Sequence, residues 1–253
     1  MLLKNLKYNV ILTFGSIFLV IAISITYNQY NEIPLKIEFA KACNKEGKNC
    51  LKDDVILLHG RITSLSSTYF KEFLSLHNRK ITNLKIKYVC FNSIGGRNKE
   101  AIKIGEKIAK EGLQTCLAEK YILSNDIIPQ DSTECSSSCP YILLAGSTRN
   151  LIGKSACIGV HASGQKIAGT NFDMPNYTPE DDKNEYISAL KNYSQLNTYR
   201  DEEDIHIELV NYSFRVKNEH GKYLTTKQIK DFKVFTSDVT NFENIIPCKK
   251  QNY

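Results

Sequence analysis

The chain has 253 residues, with 33 Lys and Arg against 27 Asp and Glu, a formal charge of +6 and eight cysteines. Hydrophobic residues make up 42% and charged ones 24%, which excludes collagen, low-complexity sequence and wholesale disorder and leaves enough apolar surface for a sizeable core. The charge excess is modest and no basic stripe interleaved with aromatics appears, so no nucleic-acid partner is implied.

Lys4 and Lys7 precede an uncharged run from Tyr8 to Tyr27. About 20 such residues span a hydrocarbon core of about 30 Å. Lysines before the run favour a cytoplasmic amino terminus with the rest exported. Residues 1–30 are therefore expected to be a transmembrane anchor, with a cleaved signal sequence as the alternative; Ala22-Ile23-Ser24 is a poor cleavage site. Both readings place residues 31–253 outside the cytoplasm, where disulfides persist. The expected location is the inner (cytoplasmic) membrane, single-pass, with the domain on the periplasmic side.

Val55 to Leu58 is a short apolar run ending at His59-Gly60 and reads as a buried strand. Ser66 or Ser67 can cap a helix whose inner face is predicted to carry Phe70, Phe73, Leu74 and Leu76. Leu84 to Phe91 reads as a strand, broken by Asn92-Ser93-Ile94-Gly95-Gly96. Ala101, Gly105, Ile108 and Gly112 lie at helical spacing. Gln114 to Glu119 is a strand, Pro140 to Ala145 a helix, and Cys157 to Val160 a strand. Strands alternating with helices argue for an α/β protein built from parallel βαβ units.

Residues 162–184 are rich in Gly, Asn, Asp, Pro and Thr and read as a loop or lid. Glu185 to Tyr199 is a predicted helix with Tyr186, Leu190, Tyr193 and Leu196 on one face. Asp201 to Asp204 suits a helix start, and Thr225-Thr226 opens a last short helix through Ile229 and Phe232.

Three features recur in one order. A strand ends in Gly95-Gly96, where backbone N–H groups can face a ligand without a Cβ in the way. Cys135-Ser136-Ser137-Ser138-Cys139-Pro140 opens a helix, where unpaired N–H groups favour a developing oxyanion. A strand ends in His161, a candidate general base. Each alone has a bland reading: an ordinary turn, an ordinary cap, a structural histidine. His59, His77, His206 and His220 read as solvated or locally bonded.

Taken together these motifs resemble the proteolytic subunit of the Clp protease and its relatives in the Clp/crotonase superfold, in the exported, anchored branch with a Cys-x-Ser-x-Cys motif. Gly112-Leu113-Gln114-Thr115, Ala145-Gly146-Ser147-Thr148-Arg149 and Ile158-Gly159-Val160-His161 complete the series. The likeness covers residues 53–162, with a looser tail near 223–236. It implies a spiral of ββα units over 31–253, with the core at 53–162, the lid at 162–184 and a helical part at 185–253. It also implies a serine peptidase that needs no cofactor or metal, acts on a peptide or protein, and forms a homo-oligomer.

Residue by residue, Ser137 matches the nucleophile, His161 the general base, and Gly95 or Gly96 with the backbone of Ser138 the oxyanion donors. Ser136 is the fallback nucleophile. The family's proline before Gly-Gly is Ile94 here, which implies a less stiff turn. The acid of a triad has no clear motif; Glu219 is the candidate, followed by Asn218 and Asn211. Without an acid, a Ser–His dyad or a catalytically silent module binding a peptide or protein partner remains open. Acyl-CoA chemistry on the same fold suits this chain less well, because crotonase-type enzymes work in the cytosol and the Ser–His order here matches peptidases. The cysteines lack zinc-finger spacing, and disulfides Cys135–Cys139 and Cys43–Cys50 are the expected local pairs.

Overall fold

A computed structural model describes residues 34–80, 86–124, 127–128, 133–164, 178–197, 200–217, 221–236 and 245–248. The predicted anchor at 8–27, most of the predicted lid, and Asn218 and Glu219 lie outside the described residues. Among the described residues no helix is long and apolar enough to cross a membrane.

The elements in chain order are β1 (Lys36–Cys43), β2 (Val55–His59), α1 (Ser66–Lys80), β3 (Tyr88–Asn92), α2 (Asn98–Lys110), β4 (Gln114–Ala118), β5 (Lys120–Ile122) and β6 (Ile127–Ile128). There follow β7 (Cys135–Ser136), α3 (Cys139–Leu143), β8 (Arg149–Ile152), β9 (Ser155–Ala156), β10 (Ile158–Val160) and α4 (Pro179–Asn197). A 3-10 turn (Arg200–Glu202), α5 (Glu203–Arg215), β11 (Lys222–Tyr223), α6 (Thr226–Asp231) and β12 (Ile246–Pro247) complete the chain.

A mixed sheet runs in the order β6-β5-β1-β2-β3-β4-β8. β2, β3, β4 and β8 are mutually parallel, as the alternating pattern predicts. β1 is antiparallel to both β2 and β5. β1 has no clear strand signal in the sequence, because Lys36, Glu38 and Lys41 interrupt its apolar pattern. One face of the sheet packs under the helices, with Ile56, Leu58, Val89 and Phe91 against Phe70, Ile104, Ile108 and Leu190. The other face is a smaller cluster of Val55, Leu57, Cys90, Cys116 and Tyr121. A second, three-stranded sheet in the order β11-β10-β7 carries the candidate site.

Some boundaries and faces differ from expectation. In α1, Phe70 and Leu74 are buried but Leu76 is 55% exposed. Leu76 is six residues from Phe70, well off its face at about 100° per residue. Leu196 is likewise exposed, ten residues beyond Tyr186 and about 80° off the stripe. α4 begins at Pro179, inside the predicted lid, because a proline followed by Glu180, Asp181 and Asp182 is a favourable first turn. Thr225 and Gln228 cap α6 reciprocally.

All eight cysteines are paired. Cys43–Cys50 and Cys135–Cys139 form as expected. Cys90–Cys116 joins residues that face each other across β3 and β4, and Cys157–Cys248 ties the C-terminal segment to the residue between β9 and β10.

Arg149, of the Ala-Gly-x-x-Arg motif, is fully buried. It donates to the carbonyls of Val234 and Lys233 at 3.1 Å and pairs with Glu202. His206 is 1% exposed, with Nε2 3.7 Å from Glu202 four residues earlier, so of the two expected readings, solvated or locally bonded, it is not the solvated one.

Candidate active site

β7 and β10 run parallel, with Ile158 opposite Cys135 and Gly159 opposite Ser136. Just past β7 the Ser137 N–H donates to the Gly159 carbonyl at 2.9 Å. Ser137 has φ +60°, a conformation that side-chain-bearing residues rarely adopt and that clusters at functional sites. The chain then enters α3 through Ser138, with Pro140 in the first turn. The Cys135–Cys139 disulfide, buried at both ends, closes this turn.

The three serines have different environments. The Ser136 hydroxyl donates to Glu134 Oε2 at 3.3 Å, the oxygen that also accepts from the Tyr223 hydroxyl at 2.7 Å. Ser138 is buried beside Tyr186. Ser137, half-buried at the tip of the turn, is the one of the three whose place suits a nucleophile.

The Gly95-Gly96 turn lies against this tip. A Cβ on Gly95 would fall 2.6 Å from Ser137 Cβ and 2.7 Å from the Ser138 nitrogen. Ser93 N–H donates to the Glu134 carbonyl at 2.7 Å and Ser136 N–H to the Ser93 carbonyl at 2.9 Å, so the end of β3 runs alongside β7. Gly95 N–H donates to Ser93 Oγ at 3.1 Å, and that hydroxyl donates to the Gly60 carbonyl at 2.7 Å. Ile62 N–H reaches the Gly95 carbonyl at 2.8 Å. These bonds hold the turn; Ile94 is exposed and takes no part in them.

His161 leaves β10, one strand over from Ser137. β10 pairs antiparallel with β11, Gly159 opposite Tyr223 and Val160 opposite Lys222, which brings Gly221 beside His161. A Cβ there would meet the imidazole Cδ2 at 3.8 Å. His161 Nδ1 lies 2.7 Å from the Ala162 carbonyl. A carbonyl only accepts, so the neutral ring carries its proton on Nδ1 and its lone pair on Nε2. Asn211, on α5, bonds to Glu208 of its own helix at 3.4 Å. Glu219, two positions before Gly221 in the chain, lies outside the described residues.

Sequence reasoning missed a polar cluster beside the site. Asn98 Nδ2 donates to Ser163 Oγ at 2.8 Å and to Asp182 Oδ2, and the Tyr186 hydroxyl donates to Asn98 Oδ1 at 2.6 Å. Asp182 is 5% exposed and Tyr186 1%. Burial, reinforced by the neighbouring Tyr141 and Asp182, pushes the Tyr186 phenol well up, so it stays a donor. The signal available in the sequence was Asn98 two residues past the double glycine; nothing there pointed to Asp182 as its partner.

A cavity of about 860 Å³ opens at His59 and Asn92, the C-terminal residues of β2 and β3, with Lys36, Glu38 and Leu123 among its walls. His59 Nε2 and Glu38 Oε2 are 2.8 Å apart in it. Among the described residues no cluster of His, Cys, Asp and Glu could hold a metal ion.

No family model and no curated protein matches the chain. Among solved structures, a mutant of the 1510-N membrane-bound stomatin-specific protease is similar at 13% identity, with 71% of this chain and 75% of that chain covered and a TM-score of 0.42. A second mutant of that protease, in complex with a substrate peptide, is similar at 14% identity over 71% of each chain, with a TM-score of 0.43.

Proposed function

We propose that this chain is an exported serine-peptidase-like hydrolase of the Clp/crotonase type, its domain a spiral of ββα units that works with a Ser137–His161 pair. The observation that carries the reading is the turn at Ser137: a serine at φ +60° between a strand and a helix, braced by a disulfide, with a double-glycine turn packed against it. His161 Nε2 takes the Ser137 proton as Oγ attacks a peptide carbonyl, then delivers it to the leaving amine. The N–H groups of Gly96 and Ser138 hold the oxyanion, since that of Gly95 already donates to Ser93. Loss of one such donor typically costs about 3–4 kcal/mol of transition-state stabilisation.

The orienting role of a triad acid falls to the Ala162 carbonyl, which fixes the tautomer; Glu219 is the carboxylate that could add to it. The four disulfides suit an extracytoplasmic compartment, with residues 8–27 as the membrane anchor. A peptide or protein is the substrate, and assembly into a homo-oligomer follows the family pattern.

The test is a fluorophosphonate probe on the purified full-length chain. Wild type and Ser136→Ala are labelled; Ser137→Ala and His161→Ala are not. An unlabelled wild type would leave the binding-module reading in place. Labelling that survives Ser137→Ala would move the nucleophile elsewhere.

A further inference from the structure

We propose that Asn98 is a positioning residue for this site: its side-chain amide sets the separation between the glycine turn that holds the oxyanion and the strand exit that carries the base. The proposal rests on the Ser137–His161 reading. An Asn side chain offers two N–H donors and one acceptor oxygen. Here the nitrogen serves Ser163 and Asp182 and the oxygen accepts from Tyr186. The partners fix the amide's orientation, because a carboxylate only accepts and the Tyr186 phenol, kept protonated by burial, donates.

The positions of these residues give the cluster its reach. Asn98 is two residues beyond Gly96 and begins α2. Ser163 is two residues beyond His161. Asp182 and Tyr186 lie in the first turns of α4, which packs on α2 through Tyr193 and Gly105. One amide therefore joins the oxyanion side of the site, the base side and the helix behind both. On its other side the base segment is tied by Ala162 N–H to the Val216 carbonyl at 2.7 Å. With Asp182 and Tyr186 almost wholly shielded from solvent, water competes little for these bonds, and such networks hold geometry firmly. Small errors in the spacing of reacting groups have large effects on rate, so the amide acts on the chemical step rather than on binding.

The experiment measures fluorophosphonate labelling of the full chain, separating the rate at saturating probe from the probe concentration at half-saturation, with thermal unfolding followed in parallel. Asn98→Ala is expected to slow the saturating rate by at least about tenfold, with half-saturation within about twofold of wild type. The reciprocal exchange, Asn98→Asp with Asp182→Asn, keeps a donor facing an acceptor, and Ser163 and Tyr186 can both donate to the new carboxylate. It is expected to return the rate to within about threefold of wild type. Folded Asn98→Ala labelled at the wild-type rate, or a loss that tracks unfolding and half-saturation alone, overturns the positioning role. Wild type that takes no label overturns the hydrolase reading and this inference with it, so the two failures are distinct.

Discussion

Gly95 lies hard against Ser137: a methyl group on Gly95 would lie 2.6 Å from Ser137 Cβ and 2.5 Å from the Ser136 carbonyl oxygen. The Ser136 carbonyl is main chain and the place of a Cβ is set by its own backbone, so neither can swing aside. Gly95→Ala is therefore expected to displace the Ser137 turn and to reduce fluorophosphonate labelling at least about tenfold, beyond the strain of its φ of +82°. Gly112→Ala is the control. Gly112 has φ +62° but open space around it, so it carries the backbone strain, about 1–2 kcal/mol, without the crowding. Equal labelling losses in the two variants would remove the crowding argument.

Two of the four disulfides are expected to act differently, one on the site and one on the fold. Cys135–Cys139 spans four positions and Cys157–Cys248 spans 91. Loop-closure entropy gives the short bridge about 2 kcal/mol and the long one about 4–5 kcal/mol. Replacing Cys157 and Cys248 with serine is expected to lower the urea midpoint more. Replacing Cys135 and Cys139 is expected to reduce labelling more, because the turn at Ser137 loses its brace. The reverse ranking in labelling would show that the short bridge has no special role at the turn, and the reverse ranking in urea would overturn the loop-closure argument.

His206 makes folding acid-sensitive. Burial, and after it repulsion from Arg149, outweigh an opposing hydrogen bond with the Lys233 backbone and push its pKa down to about 3. The unfolded imidazole titrates near 6.5. The unfolded chain thus binds a proton that the folded chain does not. The stabilisation is full above about pH 6.5 and is lost as pH falls toward 3, at about 1.4 kcal/mol per pH unit inside that window. Urea unfolding at pH 7, 5.5 and 4.5 should show this slope in wild type and a shallower one in His206→Gln.

Glu100 adds a second acid-sensitive contribution in a lower window. Burial alone would raise its pKa, but Lys103 and the two bonds from Ser67 outweigh burial and hold the carboxyl below its ordinary value. A depressed carboxylate contributes stability above its unfolded pKa, and that stability is lost as pH falls through the folded one. Glu100 accepts the Ser67 N–H at 3.1 Å and the Ser67 hydroxyl at 2.7 Å, tying the start of α1 to α2. Glu100→Ala strands those donors and is expected to cost about 1–3 kcal/mol at pH 7, measured by denaturant unfolding. A cost near zero would mean that water satisfies Ser67 equally well.

The sequence by itself determined the parallel strands, the helices between them, both local disulfides and the order of Gly95-Gly96, Ser137 and His161. Those features rest on short-range patterns: apolar runs, helical spacing, glycines at a turn, serines before a helix. The reading fell short wherever partners are far apart in the chain. β1 was missed because its apolar pattern is incomplete and its place depends on pairing with both β2 and β5. Leu76 and Leu196 were assigned to inner faces, but the angle each occupies around its helix, and so its exposure, follows from how the helix is set on the core.

Only the tertiary structure shows how the environments of the three serines differ. Ser136, Ser137 and Ser138 are equivalent as letters. Glu134 engages the first and burial encloses the third, leaving Ser137 at the strained turn. The tertiary structure also joined Asn98 to Asp182 and Ser163, partners 84 and 65 residues away. A hydrogen bond across that separation leaves no periodic trace in sequence. It exists because α2, α4 and the strand carrying His161 are packed around one core, which no local propensity encodes.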